Sequence, residues 1–269
     1  MTTLPPSLRA ALPIDTARTW VLLRDHLPES LVLYGGTALA VHLHHRVSRD
    51  LDFFYPDDVD LTAWRETLDS LGRFAVTTAK PDTLNGVFNS TKVQFLQARR
   101  QTPLEPPTII AGINVASLRD IAATKLKTIA DCGELRDYFD LMTIEQRSAI
   151  TIETALLDYQ ERYHTHDLNT ITHIIRALGT FSDVADDHGL PARRTTIEDY
   201  WVRRTPNLGQ SVDVTGTLSV TPPPRVDREP DGRPLPLPPP DSSTLFAGRV
   251  WVEAHERNGR HVRGYWRCR

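Results

Sequence analysis

The pattern of apolar and polar positions changes along the chain from short apolar runs to a helical periodicity. Short apolar or alternating runs, typical of strands, occupy 31–34 and 49–55, and a further strand pair is predicted from 74–80 and 87–98. Segments with apolar residues three and four apart, which favour amphipathic helices, lie at 13–27, 35–45, 60–72, 113–133, 134–146, 151–163 and 168–181. We therefore predict an α+β fold, in which a small mixed sheet with N-terminal helices is followed by a helical second half.

Proline placement divides the chain. Nine of the 20 prolines lie between Pro222 and Pro240, in a stretch with too few large apolar residues to form a core. We predict an extended linker at 206–243, which separates a body from a tail at 244–269. Two alternating runs flank Asn258-Gly259 in that tail, which predicts a basic β-hairpin. The body is predicted to comprise a sheet-containing core at 1–115 and a helical subdomain at 116–205.

Composition excludes several classes of protein. The 269 residues are 40% hydrophobic and hold no apolar run near the roughly 18 residues that a membrane span needs. The N-terminus lacks the pattern of a signal peptide, and the two cysteines make a disulfide scaffold or a cysteine-based zinc site untenable. We expect a cytoplasmic protein without a membrane partner. The net charge of −3 limits any nucleic-acid contact to a local basic patch.

Two adjacent patterns carry candidate chemistry. Gly35, Gly36 and Thr37 follow an apolar strand and begin a helix, where free N–H groups and absent Cβ atoms suit a phosphate. A tight strand-to-helix turn would explain the glycines equally well. Asp50 and Asp52 stand two apart on the next predicted strand, so both carboxylates should share one face. Such a pair favours a bound divalent cation of the kind that phosphoryl transfer uses.

The sequence LYGGTALAVHL followed by HRVSRDLDFF resembles the AbiEii/AbiGii-type nucleotidyltransferase toxins. These toxins, which include the MenT toxins, are a branch of the polymerase-β-like superfamily. The resemblance implies a nucleotidyltransferase core at 1–115. It covers about 30–145 well and says nothing about the tail. It further implies that Mg²⁺, or Mn²⁺ in its place, is held by Asp50 and Asp52, with an NTP as substrate.

The segment DIAATKLKTIADCGELRDYFDL resembles the later motifs of the same family. It implies that Lys125 neutralises the triphosphate and that Asp140 is a further essential acid, which we expect to orient or activate an acceptor hydroxyl. Secondary candidates in this segment are Asp120, Arg136 and Asp137.

The motif RxSxDxD places Arg46 and Ser48 beside the acids. The resemblance implies that Arg46 contacts phosphate or positions the acids, and that Ser48 lies beside the triphosphate as a candidate regulatory phosphosite, since a phosphate there would repel metal and nucleotide. Gln94 stands where many superfamily members carry a third carboxylate, so which residue replaces that acid is left open. Lys92 is either a phosphate contact or an ordinary exposed lysine. We interpret His42, His44 and His45 as a partly exposed helix end.

The implied function is transfer of NMP to an acceptor hydroxyl, chiefly a tRNA 3′ end, by a toxin that blocks translation and has a cognate antitoxin. One alternative is a protein or small-molecule acceptor, and another is a degenerate module that binds nucleotide or antitoxin without chemistry. An RNA acceptor calls for a basic track, and the helical half offers six arginines for it: Arg162, Arg176, Arg193, Arg194, Arg203 and Arg204.

Overall fold

The computed structural model describes residues 4–56 and 59–210, and beyond them only the backbone of four short strands between 249 and 268. Within the described residues, the first half contains the strands β1 (Val32–Tyr34), β2 (Leu51–Tyr55), β3 (Phe74–Lys80), β4 (Thr83–Phe88), β5 (Thr91–Gln97), β6 (Thr108–Ile110) and β7 (Ile113–Val115). The helices are α1 (Pro6–Ala11), α2 (Ile14–Leu23), α3 (Gly35–Leu43), α4 (Leu61–Leu71), α5 (Leu118–Cys132), α6 (Leu135–Arg147), α7 (Ile152–Tyr163), α8 (Leu168–Leu178) and α9 (Arg194–Gln210).

The strands β1–β7 form one mixed sheet in the order β3-β4-β5-β2-β1-β7-β6. β2 pairs parallel with β5 and antiparallel with β1, while β1 pairs parallel with β7. The helices α5–α9 follow the sheet along the chain. The predicted α+β class, a mixed sheet followed by a helical half, is confirmed.

Strand register gives the sheet two different faces. Tyr34 and Gln94 both lie opposite Asp52, so these three residues share one face, which we call the site face. Leu33, Phe53 and Phe95 alternate with them and define the other, inner face.

Helices cover the two faces unequally. On the inner face, the Trp64 ring of α4 meets Phe95 edge-on at 5.6 Å, and Thr19 of α2 donates to Thr91 at 3.0 Å. On the site face, the Arg162 guanidinium of α7 lies 4.9 Å from the centre of the Tyr34 ring. The helical half therefore packs on the site face at β1, next to Asp52.

Several local predictions need correction. The run at 87–98 is not one strand, because Asn89 and Ser90 take positive φ and turn the chain between β4 and β5. Asp50 precedes β2 instead of lying in it. The segment 113–133 contains β7 before Ser117 caps α5, which ends at Gly133 as predicted. The short helix α1 carried too little periodicity to be predicted.

The start of the predicted linker at 206 also differs from the structure, because α9 continues through Pro206 to Gln210. Leu208, which is fully buried, holds this last turn to the core. The rest of the linker and the turn Asn258-Gly259 lie outside the described residues.

Four strands of the tail are described: β8 (Arg249–Val252), β9 (His255–Arg257), β10 (Arg260–Val262) and β11 (Tyr265–Cys268). β9 pairs antiparallel with β10 and β8 pairs antiparallel with β11. In the described part of the chain, no helix has both the length and the apolar character that a membrane crossing requires.

Candidate active site

The turn from β1 into α3 brings the N-terminus of α3 directly against the Asp52 carboxylate. Gly35 has φ +69°, a conformation that L side chains rarely adopt, and a Cβ at this position would overlap Asp52 Oδ2. Glycine is therefore required here on two independent grounds. The free N–H groups that begin α3 face the same space as the carboxylate, as a phosphate-binding turn would need.

Asp50 lies beside Asp52 and is fixed by the helix it faces. The Thr37 hydroxyl, which is fully buried, donates to the Asp50 carbonyl oxygen. This hydrogen bond occupies the Asp50 carbonyl and explains why β2 begins one residue later. Thr37 thus holds the acid-bearing loop, and its hydroxyl is not exposed to line a triphosphate as the sequence suggested.

The two acids repel one another. Burial and the Asp50 charge together raise the pKa of Asp52 to about 6, against the opposing positive charges of Lys125, Lys92 and Arg136. A carboxylate pair of this kind is stabilised by a cation between its members. The site is therefore electrostatically suited to a divalent metal.

A buried ionic cluster lies behind this pair and joins the two halves of the molecule. Lys125 Nζ is 2.7 Å from both Asp137 Oδ1 and Asp140 Oδ2. Arg46 Nε lies 2.6 Å from Asp140 Oδ1, and its Nη2 lies 2.8 Å from Oδ2. His45 Nε2 completes the set at 2.8 Å from Asp140 Oδ1. We call these five residues the Asp140 cluster.

Asp140 is saturated by these contacts, and its side chain has no exposed surface. Burial acts against its charge, but Lys125 and the hydrogen bonds from Arg46 and His45 outweigh it and hold the Asp140 pKa far below its usual range. No oxygen is left for an acceptor hydroxyl. Direct activation of an acceptor, expected from the sequence, does not fit this geometry, so we assign Asp140 a positioning role.

His45 was misinterpreted at the level of sequence. It is 6% exposed and stacks on Phe139 at 5.7 Å, instead of forming part of an exposed helix end. Because an ionised Asp140 can only accept, His45 Nε2 must carry the proton. The signal that could have located it is its position directly before Arg46 in the RxSxDxD segment.

Arg46 also explains the second glycine. A Cβ on Gly36 would overlap Arg46 Nη2 and approach Ser48 Oγ to 3.1 Å. Gly36 therefore lets the guanidinium lie against the first turn of α3, where it adds positive charge to the helix N-terminus. Ser48 is at the same place but only 7% exposed, so its role as a phosphosite stays a prediction.

Two secondary candidates have different positions. Asp120 is buried and accepts hydrogen bonds from Ser117 Oγ and Leu104 N, and it pairs with Arg162. Its function there is to anchor the 98–107 segment. Arg136 pairs with Glu134 at the start of α6, and its charge acts on Asp52.

Gln94 lies directly beside Asp52 on the neighbouring strand β5. The position predicted for a third carboxylate is thus adjacent to the Asp50–Asp52 pair, but it carries a neutral amide. Within the described residues, no group of three His, Cys, Asp or Glu side chains is arranged to hold a metal. Asp50, Asp52 and the Gln94 amide oxygen are the available oxygen ligands.

Three of the six arginines suggested as a basic track in the helical half form ion pairs with acids of the same chain. Arg162 pairs with Asp120, Arg194 with Asp186 and Glu198, and Arg204 with Glu145 and Glu153. Arg176 and Arg193 are exposed and Arg203 is half-buried.

Three comparisons relate the chain to known proteins. The family model described as nucleotidyl transferase AbiEii toxin, type IV TA system, matches residues 20–107 and 97–206. The uncharacterized protein aq_aa25 of Aquifex aeolicus (strain VF5) is 29% identical over 173 residues, which is 63% of this chain and 80% of that protein.

Solved structures give a more distant likeness. The nucleotidyltransferase toxin MenT4 of Mycobacterium tuberculosis H37Rv matches 77% of this chain and 87% of its own, with 17% identity and a TM-score of 0.48. JHP933 of Helicobacter pylori matches 77% of this chain and 98% of its own, with 15% identity and a TM-score of 0.43. The family-model match includes every residue of the site and of the Asp140 cluster.

Proposed function

Since the chain belongs to the AbiEii nucleotidyltransferase toxin family, we propose that it transfers NMP from an NTP to the 3′ hydroxyl of tRNA and so blocks translation. The observation that carries this proposal is the contact between the Gly35 turn and Asp52, which sets a phosphate-binding helix N-terminus against a carboxylate pair. The family is described as the toxin of a type IV toxin–antitoxin system, which also implies an antitoxin partner.

The donor atoms at the site fit Mg²⁺. This ion prefers oxygen ligands and is commonly held by one or two carboxylates together with substrate phosphates. Asp50 and Asp52 provide the carboxylates, and the Gln94 amide oxygen lies beside them. When bound, Mg²⁺ would supply Lewis-acid stabilisation of charge on the transferring phosphate.

The other residues of the site bind and orient the nucleotide. The N–H groups at Gly35 and Gly36 face the phosphates, and Arg46 and Lys125 add positive charge behind them. The Asp140 cluster holds those two cations in place. The acceptor oxygen then bonds to the α-phosphorus, the bond to the bridging oxygen breaks, pyrophosphate leaves, and the hydroxyl proton passes to solvent water beside the half-buried acids.

The test is label transfer. Full-length protein is incubated with total tRNA, Mg²⁺ and each α-³²P-labelled NTP in turn, and the products are separated on a denaturing gel. We expect a labelled band at tRNA size that EDTA abolishes. Asp50→Ala should lower the rate roughly 1,000-fold, because several kcal/mol of charge stabilisation are lost. Asp69→Ala, an exposed acid on α4, is the matched control and should transfer normally.

Three results would contradict the proposal or its site. Label on a protein band instead of RNA would establish a protein acceptor. Binding of NTP without any release of pyrophosphate would indicate a module that holds nucleotide without chemistry. Full activity of Asp50→Ala would remove the assigned site.

A further inference from the structure

The site face continues beyond Asp52 as an uncovered surface. Gln94 of β5 lies beside Asp52, and Lys92 lies two residues further along the same strand. Val87 of β4 is opposite Lys92, and Ala75 of β3 is opposite Val87. Cross-strand partners and alternate residues share a face, so this series runs across three strands from the candidate metal site. We call it the β3–β5 surface.

Exposure separates this surface from the inner face of the same strands. Lys92, Val87 and Ala75 are exposed, while Phe74 and Phe88, which point the other way, are buried. Among the described residues, the helical half meets the site face at β1, where Arg162 lies over Tyr34, at the opposite side of Asp52 from β5. The β3–β5 surface is therefore open to solvent, and it adjoins Asp52 through Gln94.

The surface is positively charged. Strands β3, β4 and β5 contain Lys80 and Lys92 and no Asp or Glu, and Arg73 directly precedes β3, while the exposed acid Asp82 lies in the turn between β3 and β4 at the Lys80 end. Lys80 also lies on the site face. It pairs with Thr83 of β4, and Thr83 pairs with Leu96 of β5, which is two residues from Gln94 on the same face. The Lys92 charge acts on Asp52, which places it within electrostatic range of the reaction.

The surface ends in a cavity of about 480 Å³. Its lining comprises Arg73, Ala75, Val87, Asn89 and Ser90. Asn89 N donates to the Arg73 carbonyl at 3.1 Å, and Arg73 N donates to Asn89 Oδ1 at 3.0 Å. These paired bonds fix the backbone that carries Arg73. The cavity is shallow and open to solvent, so it is accessible to a nucleobase of a bound strand.

We propose that the β3–β5 surface binds the acceptor as single-stranded RNA, with its 3′ end at Asp52, its phosphates along Lys92 and Arg73, and a nucleobase in the cavity. The inference rests on the proposed function in taking the acceptor to be RNA. Three strand spacings separate β2 from β3, about 15 Å, which is the span of a few nucleotides. Between Gln94 and Arg73 the surface carries Lys92 and Arg73 and no acid, which complements a polyanion and not a protein of mixed charge.

The experiment measures RNA binding without NTP or Mg²⁺. A short, fluorescein-labelled single-stranded RNA with a free 3′ hydroxyl is titrated with full-length protein at several salt concentrations, and anisotropy is read. We expect the double variant Lys92→Glu/Arg73→Glu to bind at least about 10-fold more weakly at 0.1 M salt. Its log–log salt slope should be shallower by about 1.4, since each lost phosphate contact removes roughly 0.7.

The matched control carries the same charge change on the other side of the sheet. Arg18 on α2 and Arg65 on α4 are exposed, and each makes only a surface ion pair. Arg18→Glu/Arg65→Glu should bind RNA as the wild type does. Equal weakening of both double variants would assign the effect to net charge and overturn the inference.

Transfer kinetics give a second readout. In the single variant Arg73→Glu, at the end of the surface away from Asp52, we expect KM for the RNA acceptor to rise while KM for NTP stays within about twofold, because the nucleotide lies at α3. Thermal unfolding near the wild-type midpoint shows that the variant is folded.

The two proposals fail in different ways. A wild type that binds RNA through Lys92 and Arg73 but labels no RNA with any NTP would contradict the proposed function and leave the surface assignment intact. A wild type that labels tRNA while the double variant keeps wild-type affinity and salt slope would overturn the surface assignment alone. Absence of RNA binding by the wild type would also overturn it.

Discussion

At the scale of residues, the site depends on a balanced set of buried charges. Asp137 and Asp140 face Lys125 and Arg46, so two carboxylates meet two cations, and His45 contributes a neutral donor. Burial lowers the pKa of His45 despite its bond to Asp140, which keeps the ring uncharged. Removal of one member of such a set leaves an unpaired buried charge, which destabilises more than the loss of the pair would.

Asp140→Asn tests this balance through pH. The folded-state pKa of Asp140 lies well below its ordinary value of 3.8, so its charge stabilises the fold above about pH 4 and that contribution is lost as pH falls. We expect the variant to lose about 3–5 kcal/mol of unfolding free energy at pH 7. The difference from the wild type should stay constant to about pH 5 and shrink below pH 4.

Urea unfolding at pH 7, 5 and 3.5 measures the effect. The control is Asp131→Asn, which removes an exposed ion pair to Lys127 and should cost less than about 1 kcal/mol. A difference between Asp140→Asn and the wild type that is as large at pH 3.5 as at pH 7 would show that the Asp140 charge is not what stabilises the cluster.

At the scale of elements, α3 is the helix that connects β1 to the acids, because its first turn lies against both Asp52 and Arg46. Its first two residues are glycines because one faces Asp52 and the other faces Arg46. Arg46 is unable to move aside cheaply, since Asp140 binds it through two nitrogens. The position of α3 therefore fixes the spacing between the phosphate-binding turn and the carboxylates.

Gly35→Ala should separate stability from activity. The left-handed backbone costs roughly 1–2 kcal/mol with a Cβ, and the clash displaces Asp52 from its place beside the turn. We expect label transfer to fall about 100-fold, because small misplacements of reacting groups are that costly. Gly209→Ala, where a Cβ meets nothing within 4 Å in α9, should transfer normally. Wild-type transfer rates in Gly35→Ala would contradict the role of the turn.

At the scale of the whole molecule, the sheet and the helical half share one core. A single cluster of buried apolar side chains extends from Leu4 to Leu208 among the described residues. It includes Leu39 of α3 and Phe53 of β2 together with Leu126 of α5. The predicted boundary at 115–116 falls between β7 and α5, at a junction that this core crosses.

We expect residues 4–210 to unfold as one unit within the full chain. Scanning calorimetry should give one main transition whose calorimetric and van't Hoff enthalpies agree. Hydrogen exchange should report similar opening free energies for the central amides of β2 and α6. Two resolved transitions, with β2 and α6 in different ones, would show that the halves are independent domains.

The sequence by itself determined most of the elements and the candidate residues. Hydrophobic periodicity is a local signal, so it located β1, α4, α6, α7 and α8 near their observed bounds and the C-terminal end of α5. Glycine and acid spacing then made Gly35 and Asp52 candidates, and the resemblance to the AbiEii-type nucleotidyltransferases added Lys125 and Asp140. The turn at Asn89-Ser90 was not predicted from the sequence, because the positive φ of these two residues leaves the apolar pattern of 87–98 nearly unbroken.

Only the tertiary structure decided what those residues touch. Burial of Asp140 depends on Lys125 from α5 and on His45 and Arg46 from the loop after α3, partners 15 to 95 residues away along the chain. The placement of Gln94 beside Asp52 depends on the parallel pairing of β2 with β5. Such contacts arise because distant segments bury apolar surface together, and a local pattern carries no record of which segments meet.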